Sequence, residues 1–111
     1  MDLLCIAGYD GYFKKVNPAL VQLLGYTEEE LFSRKIQEFI HEEDRDLTGR
    51  YRENLIKNVP LVNYENRYVS KTGEIIWLHW TSIPLENEKL VYAIAKNITH
   101  KKKLEKERIE H

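Results

Sequence analysis

The chain has 111 residues, 42% hydrophobic and 32% charged, with a formal net charge of −1. That length supports one domain around one core, and the near-neutral charge offers no field to steer it to nucleic acid or to an anionic membrane surface. One cysteine, Cys5, excludes an internal disulfide or a multi-cysteine metal centre.

Residues 2–7 read as a strand that is apolar on both faces. Core-like 3-LLCIA-7 directly after Met1 predicts a piece of a longer chain. Asp10-Gly11 predicts a type I′ hairpin turn, which needs φ > 0 at its central residues, and residues 12–16 return as a second strand. Asn17 then reads as an N-cap with Pro18 at the first helical position, and Gly25 as the left-handed stop of that short helix. Thr27 and Glu30 form a capping-box pattern, with Tyr26 and Leu31 at staple positions and Glu28–Glu30 in the first turn, where the helix dipole favours negative charge. A short apolar turn, 36-IQEFI-40, precedes a longer helix over 42–58, whose expected buried stripe is Leu47, Tyr51 and Leu55.

The second half alternates as strands over 62–70, 74–83 and 89–98, with Lys71-Thr72-Gly73 and Glu86-Asn87-Glu88 as connectors. Connectors this short imply antiparallel neighbours. From His100 the chain is charged and helical in spacing. The order predicts an α+β fold, a five-stranded antiparallel sheet with helices across one face.

Alternation sorts the side chains of the sheet. Ile76, Leu78, Trp80 and Ser82 point one way; Ile75, Trp77, His79, Thr81 and Ile83 point the other. On the last strand Ala93 and Ala95 alternate with Leu90, Tyr92 and Ile94. Bulky apolar groups on both faces mean that one face packs on the helices and the other meets a further surface. Ile75, Trp77, Ile83, Tyr92 and Ile94 are the candidates for that outer interface.

The run 10-DGYFKKVNPALVQLLGYTEEEL-31 resembles the N-terminal half of a PAS domain, whose usual shape is D-G-x-x-x-x-V-N-P-A followed by L-G-Y-T and E-E-L. The run 40-IHEEDR-45 is similar to that family's I-H-P-x-D-R element, with Glu42 in place of proline. The run 65-ENRYVSKTGEIIWLHWTSIPL-85 resembles its C-terminal PAC half, with Glu65, Arg67, Gly73 and Trp77 in register. The segment 97-NIT-99 resembles the closing D-I-T, with Asn97 for aspartate. The mix is most similar to PAS domains of bacterial sensor histidine kinases.

The resemblance implies a sensory domain over 1–99, with 100–111 beginning a signalling helix toward a C-terminal effector. It implies a sheet cupping a small cavity and a signalling role without catalysis. It also implies a homodimer through the outer sheet face and flanking helices, and a cytoplasmic location whether or not the parent protein is membrane-anchored; the near-neutral charge leaves no nucleic-acid partner expected. No apolar run approaches the roughly 20 residues of a membrane helix, so no direct membrane insertion is expected, and no signal peptide is visible.

Candidate chemistry follows from the cup. Tyr64, Tyr68, Leu78, Trp80, Ala93 and Ala95 either fill the core outright or line a cavity for a small hydrophobic or aromatic ligand. Haem is not expected: His41 precedes the long helix, which contains no histidine. Flavin is not expected: Cys5 lies on the first strand, and the cup lacks paired amides. No metal site is expected. The alternative class, a small cup-shaped hydrolase or isomerase acting on a hydrophobic ligand, needs an ionisable group with a shifted pKa in the cup, and Tyr64 and Tyr68 are its candidates. Asn97, Ile98 and Thr99 are the expected relay from the last strand to the outgoing helix. Thr99 is the expected cap, and Asn97 offers an acceptor without the charge of aspartate. The tail 100-HKKKLEKERIEH-111 places Leu104 and Ile109 five residues apart, off one helical stripe, and reads as either a coiled-coil stub or a frayed end.

Overall fold

The first hairpin turns on glycine, but not by the expected geometry. In the computed structural model, which describes residues 2–110, β1 (Leu3–Gly8) runs into β2 (Phe13–Val16). Met1 and His111, the outer ends of the expected 1–99 and 100–111 segments, lie outside the described residues. The Gly11 N–H donates to the Gly8 carbonyl at 3.1 Å, and the Gly8 N–H to the Tyr12 carbonyl at 2.9 Å. Gly11 carries φ 93° and Asp10 does not share a positive φ. This is a three-residue connection closed by a left-handed glycine, not the two-residue type I′ turn. Asp10 acts through its carboxylate, which accepts the Tyr12 N–H at 3.2 Å and Lys14 Nζ at 2.7 Å.

The same device joins β3 (Leu61–Val69) to β4 (Ile75–Leu85). Gly73 has φ 91°, its N–H donates to the Ser70 carbonyl, and the Ser70 N–H donates to the Glu74 carbonyl, both at 2.9 Å. A 3₁₀ turn over Glu86–Glu88, ended by left-handed Lys89, leads to β5 (Leu90–Asn97). The sheet is antiparallel, in the order β2-β1-β5-β4-β3. The two ends of the domain are therefore partners in its middle, with Leu3 opposite Ala95.

Between the two β halves run the helices. α1 (Pro18–Leu24) is capped by Asn17, whose Oδ1 accepts the Leu20 N–H, and stopped by Gly25 at φ 78°. α2 (Glu28–Ser33) starts on the expected capping box, with Thr27 Oγ1 and Glu30 Oε1 each accepting the other residue's backbone N–H. Leu20, Leu24, Leu31 and Phe39 lie at 1% exposure or less and face the sheet residues Leu3, Ile76, Leu78 and Ala95 in one core. Each such side chain contributes about 1.5–3 kcal/mol of transfer free energy.

Two 3₁₀ turns, Ile36–Phe39 and Glu42–Asp44, lead into α3 (Arg45–Ile56), so the helix expected over 42–58 is shorter. Its expected stripe also shifts. Leu55 is buried, but Leu47 is 49% exposed and Tyr51 is half-buried against Tyr64, with ring centroids 4.7 Å apart. α4 (Thr99–Glu110) closes the chain as a regular helix with Leu104 and Ile109 exposed.

Candidate functional site

A cavity of about 100 Å³ opens under α3, against the inner face of the sheet. Tyr64, Tyr68, Trp80 and Ala93 line it. Leu78 and Ala95 do not: they are 0% and 2% exposed and belong to the packed core with Leu20 and Leu24. Strand register explains the split. The cavity lies toward the Ser82–Ala93 pair, whereas Leu78 pairs with Asn97 and Ala95 with Trp80, farther along the strands.

The cavity is not simply apolar. Trp80 Nε1 donates to Asn66 Oδ1 at 2.9 Å, Asn66 Nδ2 donates to Thr48 Oγ1 at 3.2 Å, and Thr48 Oγ1 lies 2.7 Å from Tyr64 Oη. This chain ties β4 and β3 to α3 across the cavity wall. Arg52 stands four residues after Thr48, so both project from one helical face. Its Nη2 donates to the carbonyls of Gly8 at 3.0 Å and Tyr9 at 2.8 Å. Gln37 completes this side of the lining.

Sequence reasoning missed Gln37, Thr48, Arg52 and Asn66. A search for apolar stripes on 42–58 passes over a face made of Thr48, Arg52 and Leu55. One signal was present, Gly49 in the helix interior, where glycine costs about 1 kcal/mol against alanine. A Cβ there would sit 3.1 Å from Gln37 Nε2, so glycine admits the Gln37 side chain against α3.

Burial sets the protonation of the lining. It pushes the Cys5 thiol up to about 12, so at neutral pH the sulfur is a protonated thiol and not a thiolate nucleophile. Burial also raises the Tyr68 phenol well above its ordinary value, and raises Tyr64 against the lowering effect of its bond to Thr48. Both tyrosines are shifted away from neutrality, so neither provides the general base that a hydrolase or isomerase would need. His41 lies outside the cavity, where Nδ1 accepts the Glu43 N–H at 3.1 Å and caps the second 3₁₀ turn. Among the described residues there is no group of three or more His, Cys, Asp or Glu placed to hold a metal ion.

Behind the cavity, the outer side of β4 carries the junction with α4. Asn97 Oδ1 accepts both the Thr99 N–H at 3.0 Å and the Thr99 hydroxyl at 2.6 Å. The Thr99 oxygen in turn accepts the Trp77 N–H at 2.9 Å, and the Ile98 N–H donates to the Trp77 carbonyl at 2.9 Å. Thr99 was expected as a helix cap; its hydroxyl instead pins the start of α4 to β4. Lys102 reaches back to Glu65 at 2.7 Å and lies 4.8 Å from the centre of the Trp77 ring. Arg67 stands 5.2 Å from the same ring centre and is held by Asp44 and Glu43. Trp77, taken with Ile75, Ile83, Tyr92 and Ile94 as an outer-face candidate, is therefore engaged within the chain. The other four are exposed.

The family model described as PAS fold matches residues 13–97. A curated relative, the probable diguanylate cyclase DgcE of Escherichia coli (strain K12), is 31% identical over 75 residues, 67% of this chain. The chain spans 7% of that protein's length. A solved domain of the sensory box sensor histidine kinase/response regulator from Geobacter sulfurreducens superposes with a TM-score of 0.72 at 20% identity, covering 86% of this chain and 82% of that one.

Proposed function

The chain belongs to the PAS fold family, and on that premise we propose that it is the sensory and dimerisation module of a bacterial sensor histidine kinase. In this reading, occupancy of the cavity or a change at the outer face is passed through Asn97, Ile98 and Thr99 to α4 and on to a C-terminal effector. The domain itself performs no chemistry and uses neither haem nor flavin; a cavity of about 100 Å³ suits a much smaller ligand.

One observation carries the proposal. Both backbone polar groups of Trp77 are bonded to the 98–99 junction, and three residues away on the opposite face of the same strand Trp80 forms part of the cavity wall. A rigid strand with the ligand on one face and the output helix on the other transmits a displacement across about one side-chain layer. A ligand biases the effector only to the extent that it binds two arrangements of this junction unequally.

The test is output from the parent protein. Asn97→Ala and Trp80→Phe are each expected to change autophosphorylation while the domain remains folded by circular dichroism. Unchanged output from both folded variants would falsify the relay. The curated relative favours a second effector, a diguanylate cyclase. A parent with cyclase turnover and no autokinase activity selects it.

A further inference from the structure

We infer that the cavity receives a short hydroxycarboxylate of about four carbons, its carboxylate against Arg52 and Tyr68 and its hydroxyl against Gln37. This rests on the reading of the cavity as the sensory site and corrects the expectation of a wholly apolar ligand.

Three polar side chains in the lining are left short of partners. The Tyr68 side chain is 3% exposed, yet its hydroxyl has no hydrogen-bond partner among the described residues. The Tyr68 ring lines the open cavity and its hydroxyl is not sealed from it, so a ligand oxygen there can accept the phenol O–H. Gln37 Oε1 is buried without a partner, while Nε2 of the same amide donates to the Arg45 carbonyl at 3.2 Å. That bond fixes which way the amide points and leaves Oε1 as a standing acceptor. Arg52 is half-buried and uses Nη2 alone, on the Gly8 and Tyr9 carbonyls. Its Nε and Nη1 have no hydrogen-bond partner, and the guanidinium no ion pair, among the described residues. The nearby Asp10 carboxylate is exposed and bound by Lys14 and the Tyr12 N–H.

The chemistry of these groups defines the ligand. A guanidinium and a phenol both donate, and together they suit an anion with two acceptor oxygens. An orphan carbonyl oxygen needs a donor, which a hydroxyl supplies without adding a second positive charge beside Arg52. The rest of the lining, including Phe13, Ile40, Leu55 and Val91, is apolar and takes a short carbon chain. A cavity of about 100 Å³, open on one side, is smaller than the roughly 150 Å³ closed cavity that takes benzene, which holds the ligand to a short chain of at most about four carbons.

The test uses the ¹⁵N-labelled chain titrated separately with 3-hydroxybutyrate, butyrate and butyramide. Saturable shifts are expected at the Trp80 indole N–H and the Arg52 side-chain N–H. Affinity is expected to fall from 3-hydroxybutyrate to butyrate, and by about tenfold or more from butyrate to butyramide. Tyr68→Phe keeps the ring in the core and is expected to weaken both acids several-fold and butyramide by less. Arg52→Gln also removes the bonds to the hairpin carbonyls, so Tyr68→Phe is the decisive variant if Arg52→Gln unfolds. Butyramide binding as tightly as butyrate, equal affinities for butyrate and 3-hydroxybutyrate, shifts elsewhere, or no saturable binding each overturns the assignment. Binding of the acid without a change in output from the parent protein keeps the assignment and removes the sensory role. An output response to a neutral ligand does the reverse.

Discussion

Trp80 meets two demands with one side chain. Its ring fills the cup against Tyr68, centroids 5.8 Å apart, and its N–H satisfies buried Asn66. Trp80→Phe removes the donor and leaves Asn66 Oδ1 unsatisfied, so a loss of about 1–3 kcal/mol is expected on top of the packing loss. Urea unfolding measures it, and the double variant Trp80→Phe, Asn66→Leu should recover part of the deficit. Asp44 is the comparable residue on the outside. It accepts Arg67 Nη2 at 2.6 Å, Arg67 Nε at 3.0 Å and the Arg67 backbone N–H at 2.7 Å. Above all the Arg67 side-chain bonds, then the backbone bond, hold its carboxyl below the ordinary value against the opposing effect of burial. A depressed folded-state pKa contributes stability that is complete above the unfolded value of about 3.9 and disappears as pH falls through the folded one. Asp44→Ala is therefore expected to cost about 1.5–3 kcal/mol at pH 7 and little once the wild-type carboxyl is protonated. Stability measured from pH 7 down to pH 2 tests this, and a cost independent of pH rejects the charged contact as its source.

Among the elements, α4 has the weakest anchorage. Its apolar residues Leu104 and Ile109 are exposed, so no buried stripe holds it to the domain. What holds it is the Asn97–Thr99–Trp77 bonding and the Lys102 contacts with Glu65 and the Trp77 ring. Thr99→Val keeps the shape but leaves the Trp77 N–H without its acceptor. Faster amide exchange at Trp77 and Lys102 is expected, with little change in the core amides. Uniform acceleration across the sheet would show that Thr99 supports the whole fold instead. The hairpins set a second element-scale expectation. A Cβ added at Gly73 would meet no atom within 4 Å, so Gly73→Ala causes no clash and its cost is the positive φ itself, about 1–2 kcal/mol by urea unfolding.

For the whole molecule, the outer sheet face remains apolar after folding. Leu4, Ile6, Ile83, Tyr92 and Ile94 line a shallow groove there, and Ile83 is 55% exposed. In the proposed reading a second copy of the chain covers this face, and Ile83→Glu is expected to shift the chain to monomer in sedimentation at micromolar concentration while its circular dichroism stays that of the folded domain. A monomeric wild type, or a variant that stays dimeric, places the interface elsewhere. None of the helices is long and apolar enough to cross a membrane, among the described residues.

Local chemistry was legible in the sequence. The caps at Asn17 and Thr27, the glycines at 11, 25 and 73, and the alternation along 74–83 each depend on neighbours a few residues away, and so each can be read from a short window. They were enough for five strands, the helices between them and the assignment of faces. Even there the Asp10-Gly11 turn took a different form, because hairpin geometry depends on where the flanking strands pair. The tertiary structure decided what no short window contains. It placed β5 between β1 and β4, put Leu78 and Ala95 in solid core while Trp80 and Ala93 bordered a cavity, and turned Thr48, Arg52 and Gln37 toward that cavity. These depend on contacts between residues far apart in the chain, and a polar side chain at helical spacing looks the same in sequence whether it faces water or an enclosed site.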